Sequence, residues 1–178
     1  MKLSYTLGKA DFLEYQLYAS SKSKSHKSRR FRSRIIIPVI YLALGGYIGG
    51  IDGNLFAGVM FAGIGVVWFL FYPKYSKWRY KKHFQKHIKE HYQNRIDKAV
   101  ELTIEDGHLL TKDFTAETKV NASELKELIE LPRHFLIKLT TELALIVPKQ
   151  KIKDLEAFKN EILELGGSYI DDTQRQWK

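Results

Sequence analysis

Residues 35–72 read IIIPVIYLALGGYIGGIDGNLFAGVMFAGIGVVWFLFY, two apolar runs parted by the turn-forming residues Asp52-Gly53-Asn54. Neither run, 35–51 or 55–72, has a polar face, although a helix packed on the core of a soluble protein keeps one. Each run is long enough to cross a hydrocarbon layer as a helix, the form that satisfies its own backbone hydrogen bonds in lipid. The stretch therefore predicts a transmembrane helical hairpin.

Lysine and arginine flank this hairpin on both outer sides. By the positive-inside rule, both termini are expected in the cytoplasm and the Asp52 turn outside, in a two-span, multi-pass protein of the cell membrane. These flanking cations are the candidate contacts to lipid headgroups: Lys22, Lys24, Lys27, Arg29, Arg30, Arg32, Arg34, Lys74, Lys77, Arg79, Lys81 and Lys82.

The distribution of charge points to the same partner. The chain of 178 residues has a net charge of +9, but residues 1–34 and residues 73–98 each carry +7, and residues 99–178 carry −4. A positive charge confined to the neighbourhood of the spans favours anionic membrane lipids as a partner and disfavours nucleic acid.

Small residues are dense within the spans and allow helices to approach closely in lipid. Two interpretations stay open: the two spans pack on each other, or two copies of the chain form a homodimer through the same faces. The candidate packing residues are Gly45, Gly46, Gly49, Gly50, Gly58, Ala62 and Gly65.

Residues 73–98 form the next predicted segment, a basic juxtamembrane helix with an apolar residue at every fourth position from Tyr80 to Ile96. One interpretation is a helix lying on the anionic leaflet. The other is a stalk whose apolar stripe packs on the cytosolic domain or on residues 9–20.

Residues 99–178 form the predicted cytosolic domain. Alternating apolar residues indicate about six short antiparallel strands between Val100 and Val147, and the apolar spacing after Asp154 indicates a C-terminal amphipathic helix. Residues 1–34 supply an N-terminal strand, a short helix and the first basic flank. That strand, in which Leu3, Tyr5 and Leu7 alternate with polar residues, is a candidate seventh strand of the sheet.

Several stretches resemble one bacterial family. They are Tyr5-Thr6-Leu7, residues 11–18 (DFLEYQLY) with Ser20-Ser21-Lys22, the two-span hairpin, and residues 144–149 (ALIVPK) before the last helix. With these motifs the chain resembles the YcxB-like family of small membrane proteins. The resemblance implies a C-terminal domain similar to a pleckstrin-homology fold, and it implies no activity. The expected fold class is thus an α+β membrane protein, a transmembrane hairpin with a pleckstrin-homology-like β domain.

Catalytic chemistry is not indicated by any motif. The chain has no cysteine, which excludes thiolate nucleophiles and sulfur-ligated metals, and it lacks phosphate-loop, G-x-S-x-G and HExxH patterns. We therefore expect a non-enzymatic protein without catalytic residues, cofactor or metal: a membrane-anchored cytosolic binding or scaffold module for a protein, a peptide or anionic lipid. The alternative is a small oligomeric transporter or pore built from the glycine-rich hairpin.

Overall fold

The computed structural model describes residues 1–105 and 107–174. These residues divide into a β unit, formed by residues 1–15 with the described residues from 85 onward, and a hairpin unit, formed by residues 16–84. The helices are α1 (Lys9–Lys22), α2 (Lys24–Gly50), α3 (Leu55–His91) and α4 (Leu155–Glu164). The strands are β1 (Lys2–Thr6), β2 (Ala99–Glu105), β3 (His108–Lys112), β4 (Glu117–Asn121), β5 (Leu125–Glu130), β6 (His134–Leu139), β7 (Ala144–Pro148) and β8 (Ser168–Asp171).

The first sheet of the β unit has the order β1-β2-β3-β4 and is antiparallel throughout. Its first strand comes from the N-terminus: Leu3 lies opposite Leu102 and Tyr5 opposite Val100. The alternation that predicted a strand at residues 3–7 thus places its apolar side chains on the same face as those of β2.

The second sheet has the order β7-β6-β5-β8. A single 3-10 turn at Ala122–Glu124 links β4 to β5 and so leads from one sheet to the other. After α4, β8 returns to pair with β5 in parallel. Asp154 caps α4, since its carboxylate accepts a hydrogen bond from the Ala157 amide at 3.0 Å.

The core of the β unit contains the apolar faces of both sheets and one face of α4. Leu102 and Leu109 of the first sheet, Leu128 and Phe135 of the second, and Phe158 of α4 are all fully buried. The rings of Phe135 and Phe158 lie 5.4 Å apart, which anchors the helix to the second sheet.

The hairpin unit contains two helices that are long and apolar enough to cross a membrane. Both continue beyond the apolar runs at their basic ends. Ser23 caps α2 twelve residues before Ile35, because its hydroxyl accepts a hydrogen bond from the His26 amide. Pro38 and Pro73 therefore lie inside helices, each at the cost of one backbone hydrogen bond.

Mixed α+β architecture is confirmed, and the structure extends the strand prediction in two ways. The N-terminal strand does join a sheet, and the described residues contain an eighth strand, β8, that was not predicted. The juxtamembrane helix predicted for residues 73–98 is not separate: α3 runs through Pro73 and ends at His91. Turns follow, and Asp97 adopts a left-handed backbone (φ 59°) just before β2.

Candidate functional site

The outer edge of β7 is unpaired in the β unit. Among the described strands its one neighbour is β6. The Leu139 amide donates to the Leu143 carbonyl, and the Lys149 amide donates to the Arg133 carbonyl. Because hydrogen bonding alternates along an antiparallel strand, the backbone groups of Ala144 and Ile146 face the open edge instead.

A cavity of about 260 Å³ lies beside this edge. One wall is aromatic and comes from β1, α1 and the turn after α3. The other wall is β7, and polar and charged residues surround the opening. The lining comprises Tyr5, Leu7, Phe12, Tyr15, Tyr92, Arg95, Lys98, Val100, Thr111, Asp113, Phe114, Ala116, Thr118 and residues 143–146. We call the cavity and the open edge together the β7 groove.

Tyrosine hydroxyls supply polar groups to the aromatic wall. Burial raises the pKa of the Tyr5 hydroxyl, and burial together with the neighbouring Tyr92 raises the pKa of Tyr15. Both hydroxyls are therefore protonated at neutral pH and able to donate a hydrogen bond. The Phe12 ring packs on Tyr92 at 5.0 Å and holds α1 against this wall.

The rim of the groove is cationic. Asp113 turns its carboxylate to its own loop, where it accepts bonds from the Thr115 hydroxyl at 2.6 Å and the Ala116 amide at 2.9 Å. The hydrogen bonds from Thr115 lower the pKa of Asp113, so its carboxylate stays ionised and keeps its hydrogen bonds within this loop. Arg95 and Lys98 are exposed, and neither forms an ion pair with a carboxylate of the described residues. An extended backbone, an apolar side chain and an acidic group would together match the groove.

A brace of four charged or titratable side chains holds the start of α1 beside the groove. Asp11 Oδ1 lies 2.7 Å from His134 Nε2, and Arg133 Nη2 lies 2.5 Å from Glu14 Oε2. The other oxygen of Asp11 accepts the Gly8 amide at 2.7 Å, at the turn between β1 and α1. His134 itself is buried at the beginning of β6.

The protonation of this brace follows from its hydrogen bonds. Burial alone would lower the pKa of His134, but the bonds to Glu14 and Asp11 outweigh it and raise that pKa. The same contact with His134, followed by those with Arg133, lowers the pKa of Glu14 against the opposing effect of burial. Imidazolium and carboxylate therefore stabilise each other.

The predicted headgroup residues lie at the basic ends of α2 and α3, in the hairpin unit. Arg30 is buried and Arg34 half-buried, whereas the ten others are exposed. Arg30 donates to the Ser20 carbonyl at 3.3 Å, and its guanidinium lies 5.6 Å from the centre of the Tyr80 ring. The Arg34 guanidinium lies 4.3 Å from the centre of the Phe69 ring. The cationic set is therefore not uniform, because two of its members are held between the helices.

The predicted packing residues fall into two groups. A Cβ on Gly58 would lie 2.7 Å from the Gly45 carbonyl oxygen and 2.9 Å from Gly49 Cα, and one on Gly45 would lie 3.2 Å from the Ala62 nitrogen. A Cβ on Gly65 would approach Pro38 at 3.3 Å. By contrast, a Cβ on Gly46 or Gly50 would meet nothing within 4 Å. The first group lies where α2 and α3 approach each other, and Gly46 and Gly50 lie on open faces.

Sequence reasoning missed the β7 groove and the brace. Asp11 and His134 are 123 positions apart, so no local sequence pattern links them. The sequence does contain one signal for the brace: Asp11 and Glu14 lie three residues apart and therefore on one face of a helix. Two acids on a face that packs against the protein need basic partners there.

Comparison with known proteins gives one match. Residues 104–162 match the family described as YcxB-like protein, which confirms the resemblance drawn from the sequence over this part of the chain. The matched range runs from the end of β2 through most of α4 and includes β7. No curated protein and no solved structure matches the chain.

Proposed function

We propose that the protein is a membrane-anchored, non-enzymatic binding module whose cytosolic β unit captures an extended peptide segment of a partner protein. The observation that carries the proposal is the unpaired edge of β7 beside an apolar cavity with a cationic rim. An added strand would bond to Ala144 and Ile146, and a side chain would enter the cavity. Strands β1 to β7 form antiparallel pairs in two sheets, and α4 follows them in the chain. This arrangement supports a pleckstrin-homology-like unit, with the parallel strand β8 as an additional element.

Membrane insertion of the hairpin is supported by its exposed apolar surface. Phe56, for example, leaves 77% of its surface uncovered within the described chain, and Leu55 leaves 70%. In water, so many apolar side chains would each cost about 1.5–3 kcal/mol relative to burial. A bilayer removes that cost over the whole length of both runs.

The proposed orientation has support from strand pairing. β1 precedes the hairpin in the chain and β2 follows it, yet all five residues of β1 pair with β2. Such pairing requires that both ends of the hairpin lie in the same compartment. Since the cations stand at these ends, the positive-inside rule makes that compartment the cytoplasm and puts Asp52 outside.

A disulfide trap tests this orientation in a chain without cysteine. Ser4 lies opposite Glu101, so the S4C/E101C double variant is expected to form an intramolecular disulfide in membranes under mild oxidation. A single cysteine at Asp52 should react with an impermeant maleimide added to intact cells, while S4C alone should not. Labelling of both positions from outside would overturn the orientation.

Peptide capture is tested with a displayed library of short extended peptides and the full chain in nanodiscs. Peptides selected on the wild type should bind Ala144→Pro at least about tenfold more weakly, because proline removes an edge amide without touching the bonds to β6. On binding, the amides of Ala144 and Ile146 should gain protection from hydrogen exchange. If A144P binds the peptides as tightly as the wild type, and protection from hydrogen exchange is gained elsewhere, the β7 groove is not the binding site.

The alternative of a transporter or pore predicts a different dependence. If the β unit performs the function, replacing residues 35–72 by an unrelated two-span anchor should leave peptide binding unchanged. A pore would lose all function with that replacement.

A further inference from the structure

The hydroxyl of Tyr5 has no hydrogen-bond partner among the described residues, although Tyr5 is only 4% exposed and lines the cavity of the β7 groove. Burial alone raises its pKa. For Tyr169, by contrast, the hydrogen bond to Glu130 is the main cause of a raised pKa. A buried polar group that no neighbour engages is unusual, and it indicates that something other than this chain completes it.

The position of Tyr5 in the first sheet shows that the cavity is a polar end of the core. On the inner face of this sheet, Leu109 lies opposite Val120, and both are buried. Two residues further along each strand, Thr111 lies opposite Thr118 on the same face, and both line the cavity. Hydroxyl-bearing side chains therefore replace apolar ones where the core opens, which a mere packing defect would not require.

The opening of this cavity carries exposed apolar surface. Phe114, from the loop between β3 and β4, is 52% exposed, and Leu143, just before β7, is 66% exposed. Among the described residues of the β unit, these are the two large apolar side chains that leave more than half of their surface uncovered. Since both line the same cavity, a molecule bound there would cover them.

The charges around the opening favour a negatively charged group. Arg95 and Lys98 line the cavity and are exposed. The Asp97 amide donates to the Leu7 carbonyl at 3.0 Å, and this bond holds the turn that carries both cations against the end of β1. The lining also contains the acid Asp113, but its carboxylate is engaged by its own loop.

We propose that the cavity receives the side chain of a glutamate in the bound peptide. Its carboxylate accepts a hydrogen bond from the Tyr5 hydroxyl, its methylene groups lie against the aromatic wall, and Arg95 and Lys98 balance its charge. Apolar residues on either side of the glutamate cover Phe114 and Leu143. This inference rests on the proposed function, because a strand added to β7 delivers the side chain, and it names the class of peptide that the groove selects.

Other side chains match the cavity less well. A leucine would leave the Tyr5 hydroxyl without a partner, a lysine would face Arg95 and Lys98, and a glutamine would pair with Tyr5 but leave the cations unmatched. The cavity lies beside residues 143–146, so a strand bonded to both Ala144 and Ile146 continues past it. The group that enters is therefore a side chain and not the carboxylate of a chain end.

The test measures peptide binding to the full chain in nanodiscs of phosphatidylcholine, whose headgroups carry no net charge. The probes are pools of short acetylated and amidated peptides with randomised valine and threonine flanks and a central Glu, Gln, Leu or Lys. We expect the Glu pool to bind at least about tenfold more tightly than the Gln and Leu pools, and the Lys pool to bind most weakly.

Two substitutions with a matched control locate the preference. Tyr5→Phe keeps the ring and removes only the hydroxyl, so the preference for the Glu pool over the Leu pool should fall about three- to tenfold. Lys98→Gln should lower the affinity for the Glu pool. Lys119→Gln removes the same charge from an exposed position on β4 outside the cavity and should leave that affinity unchanged.

Each contrary result has its own meaning. Tightest binding of the Leu pool, still weakened by A144P, would overturn the carboxylate site and leave strand capture intact. An unchanged preference in Y5F, or equal losses in K98Q and K119Q, would also overturn the site, the latter by showing diffuse attraction. Binding that requires a free C-terminal carboxylate would overturn the side chain as its source. If no pool binds the wild type, the peptide capture itself is overturned, and the carboxylate site with it.

Discussion

The two units of the protein treat charge and apolar surface in opposite ways. In the β unit, acids and bases meet within the chain, as Glu14 does with Arg133 and Glu130 with Lys149, each pair at 2.5 Å. Most of its large apolar side chains are buried. Residues 16–84, the hairpin unit, contain twelve Lys and Arg but a single acid, and most of their large apolar side chains are exposed. The β unit thus buries most of its apolar surface and pairs many of its charges within the chain, whereas the proposed bilayer would cover the apolar surface of the hairpin unit.

Replacing one phenylalanine in each unit by alanine is expected to give the largest contrast in stability. Phe158→Ala, in the core of the β unit, should lower its free energy of unfolding by about 3–5 kcal/mol because it opens a cavity. Phe56→Ala, on the exposed face of α3, should change it by less than about 0.5 kcal/mol in nanodiscs. Urea unfolding of the full chain in nanodiscs, monitored by near-ultraviolet circular dichroism, measures both changes in the free energy of unfolding.

Equal effects of the two substitutions would contradict the comparison. A strong effect of F56A on the β unit would mean that Phe56 is covered by the chain, and the hairpin would then need no lipid.

A matched pair of glycines tests the packing inside the hairpin unit. Gly58→Ala forces a methyl group to 2.7 Å from the Gly45 carbonyl oxygen, so the helices must separate, at a cost of about 1–3 kcal/mol. Gly46→Ala meets nothing within 4 Å and should be neutral or slightly stabilising. Unfolding in detergent, followed by energy transfer between labels on the two helices, measures the difference.

The same pair separates the two uses that the sequence left open for these glycines. Should Gly46→Ala weaken chemical crosslinking between copies while the hairpin itself is unaffected, the open face of α2 serves a homodimer. If neither substitution changes hairpin stability or crosslinking, close approach of the helices contributes to neither hairpin packing nor dimer formation.

The parts of the fold that were predictable from sequence depend on local periodicity. The apolar runs predicted the hairpin, because a run without a polar face admits few soluble alternatives. Alternation predicted the strands from β2 to β7, and the spacing after Asp154 predicted α4. The same reasoning missed β8: its four residues, Ser168–Asp171, follow a glycine pair and form a strand only because the edge of β5 is available.

The candidate sites were less predictable because they depend on distant residues. The open edge of β7 follows from the order of strands in a sheet, which periodicity does not determine. The brace joins Asp11 and Glu14 of α1 to Arg133 and His134 at the start of β6, more than a hundred positions away along the chain. The sequence identified the cations as a class, but it did not distinguish the buried Arg30 from exposed neighbours such as Arg32.

The smallest expected effect concerns pH, and it arises in the unit whose charges are paired. The pKa of His134 is raised above its unfolded value near 6.5, so its contribution to stability is complete below that pH and is lost as pH rises through the folded pKa. The pKa of Glu14 is lowered from 4.5, so its contribution is present above 4.5 and lost as pH falls through the folded pKa. The brace should therefore stabilise the β unit most between about pH 4.5 and 6.5.

Urea unfolding of the full chain at pH 5.5 and pH 8.5 measures this effect. The wild type should be less stable at pH 8.5 by about 1 kcal/mol, and His134→Gln should abolish that difference. Glu142→Gln is the control: Lys126 and Lys138 lower the pKa of the exposed Glu142 to about 2, so it stays ionised throughout this range. That variant should keep the pH dependence of the wild type. A pH dependence that persists in H134Q would mean that another group titrates, and the brace would then be a neutral hydrogen bond rather than an ion pair.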